Sequence, residues 1–542
     1  LVNIPFTKIP GYTALYNDYL SANPKLSRFY NGHHRNRNDF FRITERVVEQ
    51  DYNRQRLVDV LRRINSAYGL TPAVEANLEL LRHEKTVTVI TGQQAGIFTG
   101  SIYTILKAIT TLKAASYLGR MLKVPVAPLF WMESSDHDLS AVNHIYFPGP
   151  QRPIKFTYGK TENPRQRSVG GIEFGKDFND FSRRIKETFH NNDYYEAVTR
   201  LMDETYYPGA TFGTAFGSMM SRLFGRWGLI MVNAEDEELK RLAAPIIIRK
   251  LEEKGRMNQL LQEQSQELER ADYERQIQVR SELLNVFILK DNNRIPLNLL
   301  GEVLGNGDEK EMLSDQELVA VASEHPEWFS PKVAFRPIVQ DFLFPTVAYI
   351  GGPAELAYFA QLKKVYEFFE IQMPIIWPSA SAAIVDVKTQ RHLQRAGAQP
   401  EDVFRNSEEV LREIIEKYTD IVPEDYFDTA ERKLEEIVEW LGREMSVIDP
   451  SLSKQFNTSH NKMRYQLNSM KKRTFARLKE KNQGIVESWR KVQIQLHPNN
   501  RPQERVYNIV YFLANYGFWL MDYLLDNLDI EVDEHQFLVL PS

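Results

Sequence analysis

The triplet Asp136-His137-Asp138 is the constellation in this chain best suited to proton transfer. Flanking carboxylates raise an imidazole's pKa and orient its ring, which suits a general base or an electrostatic partner. A hydrogen-bonded histidine closing a strand end is the bland alternative. A metal fits poorly on Glu133, Asp136, His137 and Asp138, because consecutive side chains of an extended chain point to alternate sides. Upstream, Gln93 and Gln94 with the amides of Gly96 to Ser101, Gly100 included, form a candidate anion cradle for a carboxylate or a phosphate. Glutamines bonding their own loop are the competing reading. Tyr103 and Lys107 follow one helical turn apart, and Lys107 supplies positive charge for an acidic ligand unless it is simply solvated. Glu355 and Tyr358, three residues apart after Gly352, close a pocket from a second helix. Asn143, Ser379 and Ser381 complete the polar set expected to touch substrate.

These groups need a scaffold that brings distant corners together. Thr86-Val87-Thr88-Val89-Ile90 is β-branched throughout, which suits a buried parallel strand. The loop from Thr91 to Gly100 follows, and from Ser101 the apolar residues Ile102, Ile105, Leu106, Ile109 and Leu112 take helical spacing. Residues 124–132 return as a strand that delivers Glu133 to Asp138 to the same rim. Further strand candidates are residues 143–147, 228–233, 345–350 and 374–378, and Gly351-Gly352-Pro353-Ala354-Glu355 opens a helix whose amino end faces that rim. In an open parallel sheet that rim is where ligands bind.

The chain has 542 residues, 43% of them hydrophobic, which is enough for about three domains. Net charge is −5, so no global basic field argues for nucleic acid. No apolar run reaches the roughly 18 residues that would cross a bilayer, and residues 1–5 lack a signal-peptide pattern. A cytoplasmic protein is expected. The absence of cysteine excludes disulfides, thiolate nucleophiles and sulfur-ligated zinc.

In order, residues 1–82 are expected to form a helical cap and residues 83–390 a core interrupted by insertions at about 150–225 and 240–330. Residues 391–500 carry apolar positions three and four apart (Leu434, Ile437, Leu441, then Met463, Leu467, Met470, then Ile485, Trp489, Val492), the seams of an antiparallel coiled coil. Its second helix, unbroken from Ser453 to Leu496, would span roughly 65 Å and project as a hairpin. Residues 501–542 return to the core, with Arg501 to Leu528 as one amphipathic helix. The coil's exposed half most simply pairs with a second copy.

Taken together, the segment Thr91 to Gly100, the triplet Asp136 to Asp138 with Asn143-His144, and Gly351 to Tyr358 resemble the bacillithiol biosynthesis cysteine-adding enzyme family, in order along nearly the whole chain. The resemblance implies an α/β fold: a Rossmann-like parallel-sheet core related to class I aminoacyl-tRNA synthetases, two connecting insertions and a dimerising coiled coil. It also implies the last step of bacillithiol synthesis, joining the carboxyl of L-cysteine to the amine of glucosaminyl-malate. A synthetase-like ATP site would carry histidines in the first loop and a lysine near Ser379, and both are missing here. A nucleotide then binds elsewhere or not at all; Trp489, Arg501, Arg505, Tyr507 and Asn508, where coil meets core, offer aromatic stacking and phosphate contacts for ATP or ADP. A non-catalytic Rossmann-like protein whose coil recruits partners is the competing class. A tRNA-linked enzyme is disfavoured by the charge.

Overall fold

The structure is a computed structural model, and it describes residues 2–135, 138–159, 168–290, 293–299, 302–304, 310–419, 423–449 and 452–541. Five strands form its central sheet: β1 (Val87–Gln94), β2 (Val126–Glu133), β3 (Ile230–Asn233), β4 (Thr346–Gly351) and β5 (Ile375–Pro378). All pair in parallel, in the order β3-β2-β1-β4-β5. Helices on both faces bury the Val, Ile and Leu side chains of these strands, which explains why the strands read as continuous apolar runs. β1 has its sequence successor β2 on one side and the much later β4 on the other. That reversal opens a crevice beyond the carboxyl ends of β1 and β4.

Helix Ile102–Leu122 leaves β1 and is buried along most of its length, because it runs inside the molecule. After strand Val2–Pro5, the residues up to Arg82 are mainly helical. Helix Arg54–Tyr68 starts at Asn53, whose side chain accepts from the Arg56 amide, and ends at Gly69, where φ is 102°. Its Asn65 side chain bonds both the N–H and the C=O of Met231, each at 2.9 Å, and so closes the exposed edge of β3.

Several elements differ from expectation. Residues 144–147 do form a strand, but it pairs antiparallel with Ile154–Thr157 in a separate hairpin. Ahead of β4 lies helix Arg336–Leu343, with Pro337 in the first turn, where its missing N–H is harmless. The coil is a hairpin of Pro423–Ser446 and Leu452–Lys481, held antiparallel by Lys471–Glu424 and Arg464–Glu431 pairs. The second helix does not run unbroken to Leu496. It stops at Asn482, where ψ turns to 35°, and Gln483–Leu496 restarts against the core.

Residues 501–528 are likewise two helices, Ile509–Tyr516 and Trp519–Asn527, divided at Gly517 (φ 80°). A side chain at Gly517 would strike the Tyr194 ring. The chain ends in strand Glu534–Val539, which lies between Val2–Pro5 and Ser381–Val385 in a second sheet. Both ends of the chain are thereby fastened beside the core.

Candidate active site

A cleft of about 380 Å³ lies at the reversal point of the sheet. Its walls are the end of β1 (Gly92, Gln93, Gln94), the end of β2 (Trp131, Glu133), Tyr349 of β4, and Gly352, Glu355 and Tyr358 of helix Pro353–Phe359. Tyr103, Arg336, Gln340 and Arg505 add further polar groups to it.

Beneath the floor, Lys107 is fully buried. Its Nζ donates to Gly92 O at 2.8 Å and Gln93 Oε1 at 3.3 Å, and sits 2.5 Å from Glu355 Oε2. Burial lowers the Lys107 ammonium from the ordinary lysine range, while the Glu355 carboxylate pulls it back up. Glu355 also accepts from the Gly352 amide and from Tyr349 OH, each at 2.7 Å. It therefore caps its own helix and braces the floor at once. Burial raises the phenols of Tyr103, Tyr349 and Tyr358 far above their ordinary range, so they are neutral at pH 7.

Two further charges enter from far along the chain. Arg336 Nε lies 2.6 Å from Glu133 Oε2, and Ser135 Oγ donates to the same carboxylate. Arg505 stacks on the Tyr103 ring at 3.5 Å and lies 3.4 Å from Glu504. Glu504 is fully buried and accepts from Ser381 Oγ at 2.9 Å and Ala382 N at 2.7 Å. Burial raises its pKa, and Arg505 and these donors oppose the shift.

Six of the predicted substrate contacts line this one cleft: Gln93, Gln94, Tyr103, Gly352, Glu355 and Tyr358. Lys107 lies directly under them. Others fall elsewhere. Asn143 donates to Tyr158 O at 3.0 Å in the neighbouring hairpin corner. Ser379 bonds backbone of Gly351 and Ala380. Ser381 stands behind Arg505, through Glu504, rather than in the cleft.

Of the amides offered as an anion cradle from Gly96 to Ser101, those of Gly96, Thr99 and Gly100 are committed within the protein, and none of these residues lines the cleft. The amides of Gly96, Thr99, Gly100 and Ile102 are directed to Gln94 O, Tyr206 OH, Ile97 O and Tyr507 O. The reason is strain: Phe98 and Thr99 have φ of 48° and 71°, and the loop is clamped around them. Tyr206 OH donates to Gly96 O, and Asn508 Nδ2 donates to Phe98 O and Gly100 O.

The proposed nucleotide residues are not gathered into one site. Trp489 is buried and donates to Ser407 Oγ at 2.9 Å. Tyr507 OH donates to Ile494 O, Asn508 is the loop clamp just described, and Arg501 is exposed. Of the five, Arg505 alone lines the cleft. Asp136 and His137 lie outside the described residues. Asp138 is the N-cap of the short helix Leu139–Val142, accepting from the Ala141 amide and from Ser140 Oγ.

Sequence reasoning missed the Glu133–Arg336 pair. Glu133, the last residue of β2, stands in register with Gln94 at the rim where the strand pattern placed it, but nothing in the sequence pointed to its partner. Arg336 carries no such signal, because it reaches the cleft from a helix entered after an insertion.

Fold and cleft together define a Rossmann-like domain with a polar cleft at its topological switch point, extended by a helical coil. Residues 2–380 match the model of the bacillithiol biosynthesis BshC N-terminal Rossmann-like domain, and residues 382–540 match that of its C-terminal coiled-coil domain. The chain belongs to the bacillithiol biosynthesis BshC family. A protein of Koribacter versatilis named "Putative cysteine ligase BshC" is 30% identical over 523 residues, 96% of this chain and 97% of that protein. Proteins of the same name from Chloroherpeton thalassium and Salinibacter ruber are 30% and 28% identical, each covering 97% or more of this chain. Membership supports a ligase. Among the described residues no helix is long and apolar enough to cross a membrane.

Proposed function

We propose that the cleft performs the last step of bacillithiol synthesis, forming an amide between the carboxyl of L-cysteine and the amine of glucosaminyl-malate. The carrying observation is the convergence of Gln93, Gln94, Arg505 and the Glu133–Arg336 pair at the switch point of the sheet. Arg505 and the glutamine amides suit the malyl carboxylates, since guanidinium groups and amide N–H groups bind carboxylates directionally. With its oxygen on Lys107, Gln93 presents its NH2 as a donor. Neutral Tyr358 adds a hydroxyl that suits the sugar.

Amide formation requires the cysteine carboxyl oxygen to depart with an activating group, and ATP is the proposed source of that group. The attacking amine must also lose a proton. His137 is the proposed base, four residues beyond Glu133 in the chain, with Asp136 as its neighbouring carboxylate. Asp138, as a helix cap, serves the loop instead. The cell compartment proposed is the cytoplasm, and neither nucleic acid nor membrane is a proposed partner.

The proposed protein partner is a second copy at the coiled coil. Ile437 and Trp440 on one helix and Met463, Tyr465 and Met470 on the other are exposed. Sedimentation should show a dimer that I437K/W440K converts to a monomer. A monomeric parent would remove the dimer.

Incubating the purified protein with L-cysteine and glucosaminyl-malate, with and without ATP, and weighing the products by mass spectrometry tests the reaction. Amide product supports the ligase, and its dependence on ATP identifies the activating group. No product under any condition overturns the reading and leaves the binding-protein alternative.

A further inference from the structure

A second, smaller cavity adjoins the cleft, and the two share Trp131, Glu133 and Arg336. Helix Arg336–Leu343 is the partition. Its Pro337 and Gln340 face the cleft, Val339 and Leu343 face the cavity, and Arg336 reaches both. Leu239 and Ile247, on the two helices after β3, and Ala243 at their junction form the opposite wall, with Phe329 from the end of the second insertion. The free volume is about 20 Å³, little more than one water molecule needs. Of the polar groups on its wall, Lys240 pairs with Glu235 Oε2 at 3.0 Å, Ser330 Oγ accepts at 3.0 Å from Arg294, which stands outside the wall, and Glu235 Oε1 is buried without a hydrogen-bond partner among the described residues; the rest of the wall is mainly apolar.

We infer that this cavity receives the side chain of the amino-acid substrate and selects cysteine by size and apolarity. The inference rests on the ligase reading above. An amino acid is a zwitterion, and its two charges need an anion and a cation a few ångströms apart. Glu133 and Arg336 supply that pair at the doorway between the two spaces. With ammonium toward Glu133 and carboxylate toward Arg336, the side chain enters the small cavity and the carboxyl stays where the cleft's ligand meets it.

Cysteine's CH2–SH side chain is compact and its S–H is a weak donor, so it loses little on leaving water. Serine's hydroxyl loses more, and hydrophobic pockets discriminate such isosteres by up to about 100-fold. A side chain one methylene longer meets Val339, Leu343 and Ile247. Selection of this kind needs no thiolate chemistry from a chain that has no cysteine.

Calorimetric titrations of the full chain with L-cysteine, L-serine, L-homocysteine and glucosaminyl-malate test this. Expected are at least about tenfold tighter binding of cysteine than of serine or homocysteine, and at least about tenfold weaker cysteine binding in Ala243→Val with glucosaminyl-malate unchanged. Ile247→Ala, which enlarges the cavity, should bring homocysteine close to cysteine. Thermal denaturation confirms that each variant is folded. No cysteine binding to the parent, or both variants binding cysteine as the parent does, overturns the inference. Cysteine binding as described without product in the ligation assay sinks the ligase reading and not the cavity. Product formation with an unchanged cysteine KM in both variants sinks the cavity alone.

Discussion

Lys107 Nζ lies 2.5 Å from Glu355 Oε2, and this contact ties the helix after β1 to the helix after β4 across the reversal point of the sheet. Lys107 is fully buried and Glu355 largely so, and the pair holds the cleft floor in one geometry. Removing one partner leaves the other charge buried without its counterion, a loss of about 3–5 kcal/mol. Lys107→Met and Glu355→Gln should each lower denaturant stability on that scale. The double variant should lose clearly less than their sum. Additive losses would mean that the two charges are not coupled.

Close packing makes Gly352 a second point of failure. A β-carbon there would lie 1.8 Å from Tyr103 OH, although the φ of Gly352 is an ordinary −85°. Gly352→Ala should therefore cost about 1–3 kcal/mol through overpacking and reduce turnover. Tyr103→Phe in the same chain removes the obstructing oxygen and should restore much of both. Thermal melts and kcat/KM on the two variants decide it, and no rescue would place the defect elsewhere.

Asn508 offers a direct choice between scaffold and ligand. Its amide serves the carbonyls of Phe98 and Gly100 in a loop with two left-handed non-glycine residues. Asn508→Ala leaves those acceptors unsatisfied, a penalty of about 1–3 kcal/mol. Amide hydrogen exchange at residues 95–100 should accelerate. If exchange is unchanged and only ADP binding falls, Asn508 contacts nucleotide and not the loop.

Acid sensitivity should come partly from buried imidazoles. His535 is fully buried and held down to about 3, by burial first and then by Arg505 and His497; burial also holds His497 at about 4. Below the ordinary histidine value of 6.5 the unfolded chain takes up protons that the folded chain refuses, so stability falls as pH drops through that window. Asp341 acts oppositely: burial raises it to about 7, so its contribution is largest at low pH and is lost as pH rises toward 7. His535→Gln isolates one term and should flatten the slope between pH 6 and 5 by up to about 1.4 kcal/mol per pH unit. Urea titrations at the two pH values give the slope, and an unchanged one contradicts a neutral buried His535.

Much of this was legible in the residues. A β-branched run marked β1 and an apolar run marked β2, and the two glycine-bearing corners do meet, because strands adjacent at a switch point must deliver their following loops to one crevice. Gln94 and Glu355 line the same cleft for that reason. What periodicity could not reveal was where long-range partners would come from. Arg336 and Arg505 look like ordinary charged residues until the helix after the second insertion and the segment after the coil fold back. The loop at Gly96 to Gly100 has the composition of a phosphate cradle, yet its amides face inward, since backbone direction depends on Tyr206 and Asn508, more than 100 and 400 residues away. Breaks at Asn482 and Gly517 were hidden for a similar reason: apolar spacing continued through both.

The most direct measurement is the structure of the protein soaked with glucosaminyl-malate. Density for the ligand between Gln93, Gln94, Glu355 and Arg505, with its amine toward Glu133 and Arg336, is the predicted result. Ligand bound at any other surface, with this cleft filled only by solvent, would contradict the account.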